Sequence, residues 1–236
     1  MHDFGKLVYL DLQKTGSTFV SRFLNATCNL QLVKESKHGR IRDRGHSSIF
    51  YFITVRHPVS QYSSLFRYGL DGRGALYERL VHRGMGVLYK KDMESYNQWL
   101  RFVLDFRNAK VLGEGFEMIP REYDLGFLSY RYLMLSLSRP EKTILQKPKS
   151  VDIIEYAKEK SIANHIIYHE SLNEGLRELA MRIRPEFFDQ ASVDQFFREA
   201  KRVNASTVSA EDFNKIDRGV YEIILRKERI LLSLYS

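Results

Sequence analysis

The 236-residue chain has a single cysteine, Cys28, so no disulfide can form within it, which is compatible with a reducing compartment. It lacks a charged leader and any apolar run long enough to span a bilayer; the expectation is a soluble, cytoplasmic protein without an integral membrane segment. No repeat, low-complexity tract or composition break divides it, and the length suits one domain, residues 1–236, with a real core. Nucleic-acid-binding fingerprints are missing as well. The aromatics, 13% of residues, fall mostly inside periodic apolar runs, where core packing accounts for them. At 44% hydrophobic residues the composition is not that of a disordered chain. The imbalance lies in charge: a formal net +8 creates a field that favours anionic ligands without choosing among them.

The most informative stretch begins at residue 6. An apolar strand, residues 6–12, runs into Gln13, Lys14, Thr15, Gly16, Ser17 and Thr18, and an amphipathic helix follows. Backbone N–H groups at such a turn, together with the helix dipole, form an anion site, and Lys14 with the hydroxyls of Thr15, Ser17 and Thr18 completes it. The Walker A order, G-x-x-x-x-G-K-[ST], is absent: lysine precedes the only glycine of the loop, and Val8 stands six residues before Lys14. Ordinary ATP or GTP cradling is therefore disfavoured.

A second signal follows about forty residues later. Residues 48–55 form a near-continuous apolar, β-rich run, as expected of a buried parallel strand, and it delivers Arg56, His57 and Pro58 at its end. A helix then starts, with Pro58 in its first turn, where no N–H is needed. Ser64 lies eight residues after Arg56, two helical turns on. An arginine fork at the carboxyl end of a strand, with a hydroxyl at that spacing, can grip one phosphate.

Together these residues resemble those of sulfotransferases that use 3′-phosphoadenosine 5′-phosphosulfate (PAPS). Residues 13–18 resemble the family's 5′-phosphosulfate loop, commonly P-K-[ST]-G-[ST]-[ST], with Gln13 in place of proline. Arg56 and Ser64 resemble its 3′-phosphate motif, R-[DN]-P-x5-S, with His57 where Asp or Asn is more usual. The resemblance covers the first seventy residues firmly and the rest loosely. It implies an α/β fold of the P-loop NTPase-like kind: a central parallel sheet flanked by helices and a helix-rich C-terminal half. It further implies PAPS as donor, adenosine 3′,5′-bisphosphate (PAP) as product, and a hydroxyl of a saccharide, glycolipid or small compound as acceptor, with no metal. The cofactor-binding residues it implies are Lys14, Thr15, Gly16, Ser17, Thr18, Arg56 and Ser64, with Lys14 also neutralising the leaving phosphate.

The family's base is a histidine in some branches and a glutamate in others, and both stand in one short stretch here. Residues 30–35 read as the second strand, and His38 follows at its carboxyl end. A histidine, with an ordinary pKa near 6.5, supplies a neutral base at pH 7. Glu35, twenty-one residues after Lys14, is the alternative base, and His46 stands behind both. Arg40, Arg42 and Arg44 surround this stretch with positive charge, as a solvated loop commonly does.

The remaining chain reads as mainly helical after the glycine-rich loop at 69–74. Helical stripes cover 92–108, with Trp99 expected in the core, and 127–137, where Arg131 requires a partner. Residues 163–169 read as a strand, and Ser171 with Glu174 has the pattern of a capping box. His165 and His169 lack a third ligand at zinc-site spacing. The 201–206 turn resembles cofactor-closing loops of some sulfotransferases, and 211–235 reads as a packing helix. Two rival functions remain open from the residues: a nucleotide or small-molecule kinase, and a noncatalytic nucleotide-binding module.

Overall fold

A computed structural model of the chain describes residues 1–40, 48–138, 140, 152–199 and 216–236. Arg42, Arg44, His46 and the 201–206 turn lie outside the described residues. Among the described residues five strands form one sheet: β1 (His2–Asp3), β2 (Leu7–Leu10), β3 (Lys34–Glu35), β4 (Phe50–Val55) and β5 (His165–Tyr168), in the order β3-β1-β2-β4-β5. The helices are α1 (Ser17–Thr27), α2 (Pro58–Leu70), α3 (Ala75–His82), α4 (Met93–Leu104), α5 (Ala109–Leu112) and α6 (Phe127–Ser136). They continue with α7 (Ile153–Lys160), α8 (Leu172–Glu178), α9 (Gln190–Glu199), α10 (Arg218–Lys227) and α11 (Arg229–Leu232). The α/β class is as expected. Among the described residues no helix is long and apolar enough to cross a membrane.

The sheet is mixed, which corrects the parallel sheet expected. Strands β2, β4 and β5 are parallel, with Leu7 beside Phe50 and Phe52 beside His165, but β1 is antiparallel to both β2 and β3. The cause is a tight hairpin after Asp3. Gly5 takes a left-handed φ of 77°, and Phe4 N–H donates to the Leu7 carbonyl at 2.9 Å, turning the chain back on itself. Two antiparallel pairings in succession restore direction, so β3 runs the same way as β2. Its carboxyl end, and the turn that follows, therefore reach the same edge of the sheet as the end of β2.

By its contacts the chain divides into two compact units. The first comprises residues 1–56, 134–139 and 159–205; the second comprises 57–133, 140–158 and 206–236. In the first, every residue of β2 and β4 is buried, which is why those strands read as unbroken apolar runs instead of alternating ones. One sheet face, with Leu7, Tyr9, Phe50, Phe52 and Ile167, packs under Val20, Phe23 and Leu24 of α1 and Leu176 of α8. Phe23 meets Phe188, Phe196 and Phe197, so α9 closes over α1. Cys28, at the end of α1, is half-buried, and burial pushes its thiol up. Ser171 precedes α8, yet its side chain makes no capping bond. The chain enters α8 through a 3-10 turn, His169–Ser171, which leaves Ser171 in the wrong conformation to cap.

The second unit is built on aromatic packing, a buried carboxylate, Glu228, and a partly exposed one, Glu114. Tyr62, Phe66, Tyr89, Tyr96 and Trp99 form a contiguous ring cluster, and Trp99 is fully buried, as a core role requires. Glu228, wholly buried, accepts the Ser129 N–H at 2.6 Å and the Leu128 N–H at 3.3 Å, capping the start of α6, and also accepts the Tyr62 hydroxyl.

Arg131 finds the partner that its burial demands. Its Nε and Nη2 donate to the two carboxylate oxygens of Glu114 at 2.9 and 2.6 Å, and Arg79 adds a third bond at 2.7 Å. Burial alone would raise the Glu114 carboxyl, but the charges and hydrogen bonds of Arg131 and then Arg79 outweigh it and hold it at about 2. A carboxylate lowered on folding contributes stability that is complete above its unfolded pKa and is lost as pH falls through the folded value. Acid titration of unfolding free energy between pH about 4.5 and about 2 should thus show a loss on the order of 2 kcal/mol, allowing for partial exposure. In Glu114→Gln that limb should be shallower by the same amount, as read from urea midpoints across the same pH range.

Candidate functional site

The carboxyl ends of four strands bring the first unit's chemistry to one edge of the sheet. Strand β2 ends in Asp11 and the loop 13–16, β4 ends in Arg56, β5 runs into His169, and β3 leads to His38. Open α/β sheets bind ligands at this edge. The loop owes its shape to two left-handed residues, Lys14 at φ 67° and Gly16 at φ 94°. Conformations of this kind turn successive N–H groups toward one side, as anion-binding nests do. Among the described residues the N–H groups of Gly16 and Ser17 have no acceptor, because the helical ladder starts with Phe19 and Val20 donating to the Gly16 carbonyl at 2.9 and 3.1 Å. Those two donors, with α1 behind them, can take an anion.

Gly16 is needed for space as well as for φ. A Cβ there would lie 2.6 Å from Leu172 Cδ2 and 3.5 Å from His169 Cδ2, so the start of α8 presses directly on the loop. His169 is thereby a neighbour of the 13–16 loop. His165 lies in β5 with a ring pKa lowered by burial.

The loop residues do not all face the same way. Lys14 and Ser17 are half-buried and Thr18 is exposed, whereas Thr15 is fully buried. The Thr15 hydroxyl donates to the Leu12 carbonyl at 2.7 Å and bonds Thr54 Oγ1 at 2.7 Å, which in turn bonds the Tyr9 hydroxyl at 2.7 Å. That hydroxyl therefore braces the loop against β4 from beneath, and only the Thr15 backbone is left for a ligand. Arg56 reaches the loop from the neighbouring strand, its Nη1 donating to the Lys14 carbonyl at 3.5 Å. The Arg56 guanidinium thus meets the main chain of the loop residue forty-two positions before it. Ser64, on α2, belongs to the second unit and is half-buried.

The two candidate bases occupy different surroundings. Glu35, in β3, carries an exposed carboxylate whose Oε1 lies 3.0 Å from His2 Nε2, and the same nitrogen meets Ser21 Oγ at 3.0 Å. His38 stands three residues on, in a tight turn closed by Gly39 N–H donating to the Ser36 carbonyl at 2.9 Å. Its backbone N–H donates to Asp11 Oδ2 at 3.1 Å, and its Nδ1 lies 3.2 Å from both the Asp11 carbonyl oxygen and Asp11 Oδ1. Asp11 itself is buried. Burial would raise its carboxyl, but the hydrogen bond and charge of His38 outweigh this and hold it below the usual carboxylate range.

Asp11 is the residue that the sequence did not single out. A lone aspartate at the end of an apolar strand carries no motif, and only the return of the chain through β3 brings His38 onto it. Among the described residues no group of three or more His, Cys, Asp or Glu side chains is placed to hold a metal. No family model, curated protein or solved structure matches this chain.

Proposed function

We propose that the chain is a PAPS-dependent sulfotransferase acting on an acceptor hydroxyl, of a saccharide, a glycolipid or a small compound. The observation that carries the reading is the meeting of Arg56 with the Lys14 loop at the strand ends. It supports two anion grips close together, as a nucleotide with phosphates at both 3′ and 5′ positions requires. In this reading the loop backbone, with Ser17 and Thr18, binds the 5′-phosphosulfate, and Arg56 binds the 3′-phosphate. Transfer is an in-line displacement. The acceptor oxygen attacks sulfur, the bond from sulfur to the bridging phosphate oxygen breaks, and PAP leaves with that electron pair.

Lys14 balances the charge that develops on the leaving phosphate, and His38 Nε2 takes the acceptor's proton. Glu35 is the alternative acceptor of that proton, although its contact with His2 favours His38. The donor is already activated, so this chemistry asks for no metal. A reducing, cytoplasmic setting fits the single thiol. The kinase alternative is disfavoured by the order of the loop, which places lysine before glycine. A noncatalytic nucleotide-binding module would bind PAP and transfer nothing.

Transfer of radiolabelled sulfate from PAPS to a panel of glycans and small hydroxyl compounds tests the reading, and binding of PAP without any transfer would overturn it in favour of a binding module. The two grips are separable by titration calorimetry. Arg56→Ala should weaken PAP about 10- to 100-fold, the worth of charged hydrogen bonds to one phosphate, with far less effect on adenosine 5′-phosphate. Equal weakening of both nucleotides would contradict the placement of the 3′-phosphate at Arg56.

A further inference from the structure

We infer that Asp11 is the positioning residue for His38, holding the imidazole with its hydrogen on Nδ1 and its lone pair on Nε2. The catalytic consequence rests on the sulfotransferase reading; the state of the ring does not. Both groups that face Nδ1, the Asp11 carbonyl oxygen and Asp11 Oδ1, are acceptors, each at 3.2 Å. Neither can donate, so the only neutral imidazole that satisfies them carries its hydrogen on Nδ1. Nε2 is then the basic nitrogen, and it meets no partner among the described residues.

Three further observations fit a device for holding this ring and not a chance contact. Asp11 is 1% exposed, and its Oδ1 has no hydrogen-bond partner of good geometry, so a buried carboxylate oxygen waits beside the ring. A small rotation of the imidazole moves the Nδ1 hydrogen from the carbonyl to that oxygen, and this bond strengthens when Nε2 gains a proton and the ring becomes positive. The same carboxylate also fixes the main chain. His38 is left-handed at φ 53°, uncommon for any residue but glycine, and its N–H donates to Asp11 Oδ2 at 3.1 Å. The turn beyond is itself closed, Gly39 N–H donating to the Ser36 carbonyl at 2.9 Å. One aspartate thus sets the backbone, the tilt and the tautomer of the residue assigned as base.

The full-length protein labelled with ¹⁵N tests this first without any substitution. Long-range ¹H–¹⁵N correlation spectra at neutral pH should show His38 with hydrogen on Nδ1 and a bare Nε2; hydrogen on Nε2 would overturn the assignment. Asp11→Asn keeps the shape but offers an amide that can donate to the ring, so the spectrum should move toward hydrogen on Nε2. In that variant kcat for sulfuryl transfer should fall roughly 10²- to 10³-fold, with KM for PAPS and affinity for PAP within about threefold of the parent. An unchanged kcat in Asp11→Asn would also overturn the positioning role. If the parent protein transfers sulfate to no acceptor, the sulfotransferase reading falls, while the spectrum of the parent still decides whether Asp11 sets the ring.

Discussion

Replacing His38 by alanine is expected to lower the turnover of sulfuryl transfer by roughly 10²- to 10⁴-fold while leaving PAP affinity unchanged, the signature of a lost general base. The size follows from the reaction: without a base the acceptor hydroxyl must lose its proton to water as the sulfur–oxygen bond forms. The separation of effects follows from the geometry. His38 is anchored to Asp11, whereas the nucleotide is assigned to the Lys14 loop and Arg56, so the alanine leaves both grips in place. Single-turnover rates with saturating PAPS, beside PAP titrations, check both parts. Undiminished turnover would move the assignment to Glu35. Glu35→Gln in turn should have little effect on turnover, because its carboxylate is engaged by His2 on the exposed edge of β3.

The largest effect on stability is expected at Glu228. Glu228→Ala leaves the N–H groups of Ser129 and Leu128 and the hydroxyl of Tyr62 without an acceptor in a fully buried site, and opens a cavity besides. Each orphaned donor costs about 1–3 kcal/mol, and with partial relaxation the sum should be about 3–5 kcal/mol. For a chain of this size that lowers Tm by about 10 °C. Burial pushes the Glu228 carboxyl up, so Glu228→Gln, neutral and able to accept from at least one N–H, should recover part of the loss. A calorimetric scan of the two variants measures the difference. Gly126→Ala should reproduce much of the defect from the other side, since a Cβ there would lie 1.9 Å from Glu228 Oε1.

The parts of the site that were legible in the sequence are those made by neighbours along the chain. The strand, loop and helix around Lys14 are local, and so are the end of β4 and the start of α2 around Arg56. Apolar runs and turn residues sufficed to read them. Strand β1 was not legible, because two residues have no periodicity, and with it went the mixed character of the sheet. The segment at 30–35 was read as a full strand, yet only Lys34–Glu35 pair. His38 still arrives at the expected edge because two antiparallel steps cancel. Its place in the loop makes Thr15 read as a ligand hydroxyl. Its true partner, Thr54, is thirty-nine residues away, and no spacing rule pairs them. Asp11 carries no sequence signal for the same reason: its meaning depends on a contact twenty-seven residues off. Trp99 is legible as core from its helical period; for Arg131 the sequence shows only that a buried charge needs a partner, and Glu114 as that partner emerges from the fold.

The shortness of β3 has a kinetic side. The arm that carries His38 is the outermost member of the sheet and is sewn to it by two residues of β1, while Leu32 and Val33 just before it are exposed. Few backbone bonds and little apolar cover place this arm at the low end of the protein's local opening energies. Its amides should exchange with solvent deuterium well before those of β2 and β4. When the arm opens, His38 leaves with it, while the Lys14 loop and Arg56 stay on the inner strands. On the proposed reading, nucleotide capture and readiness for proton transfer fall to parts of the sheet with different lifetimes.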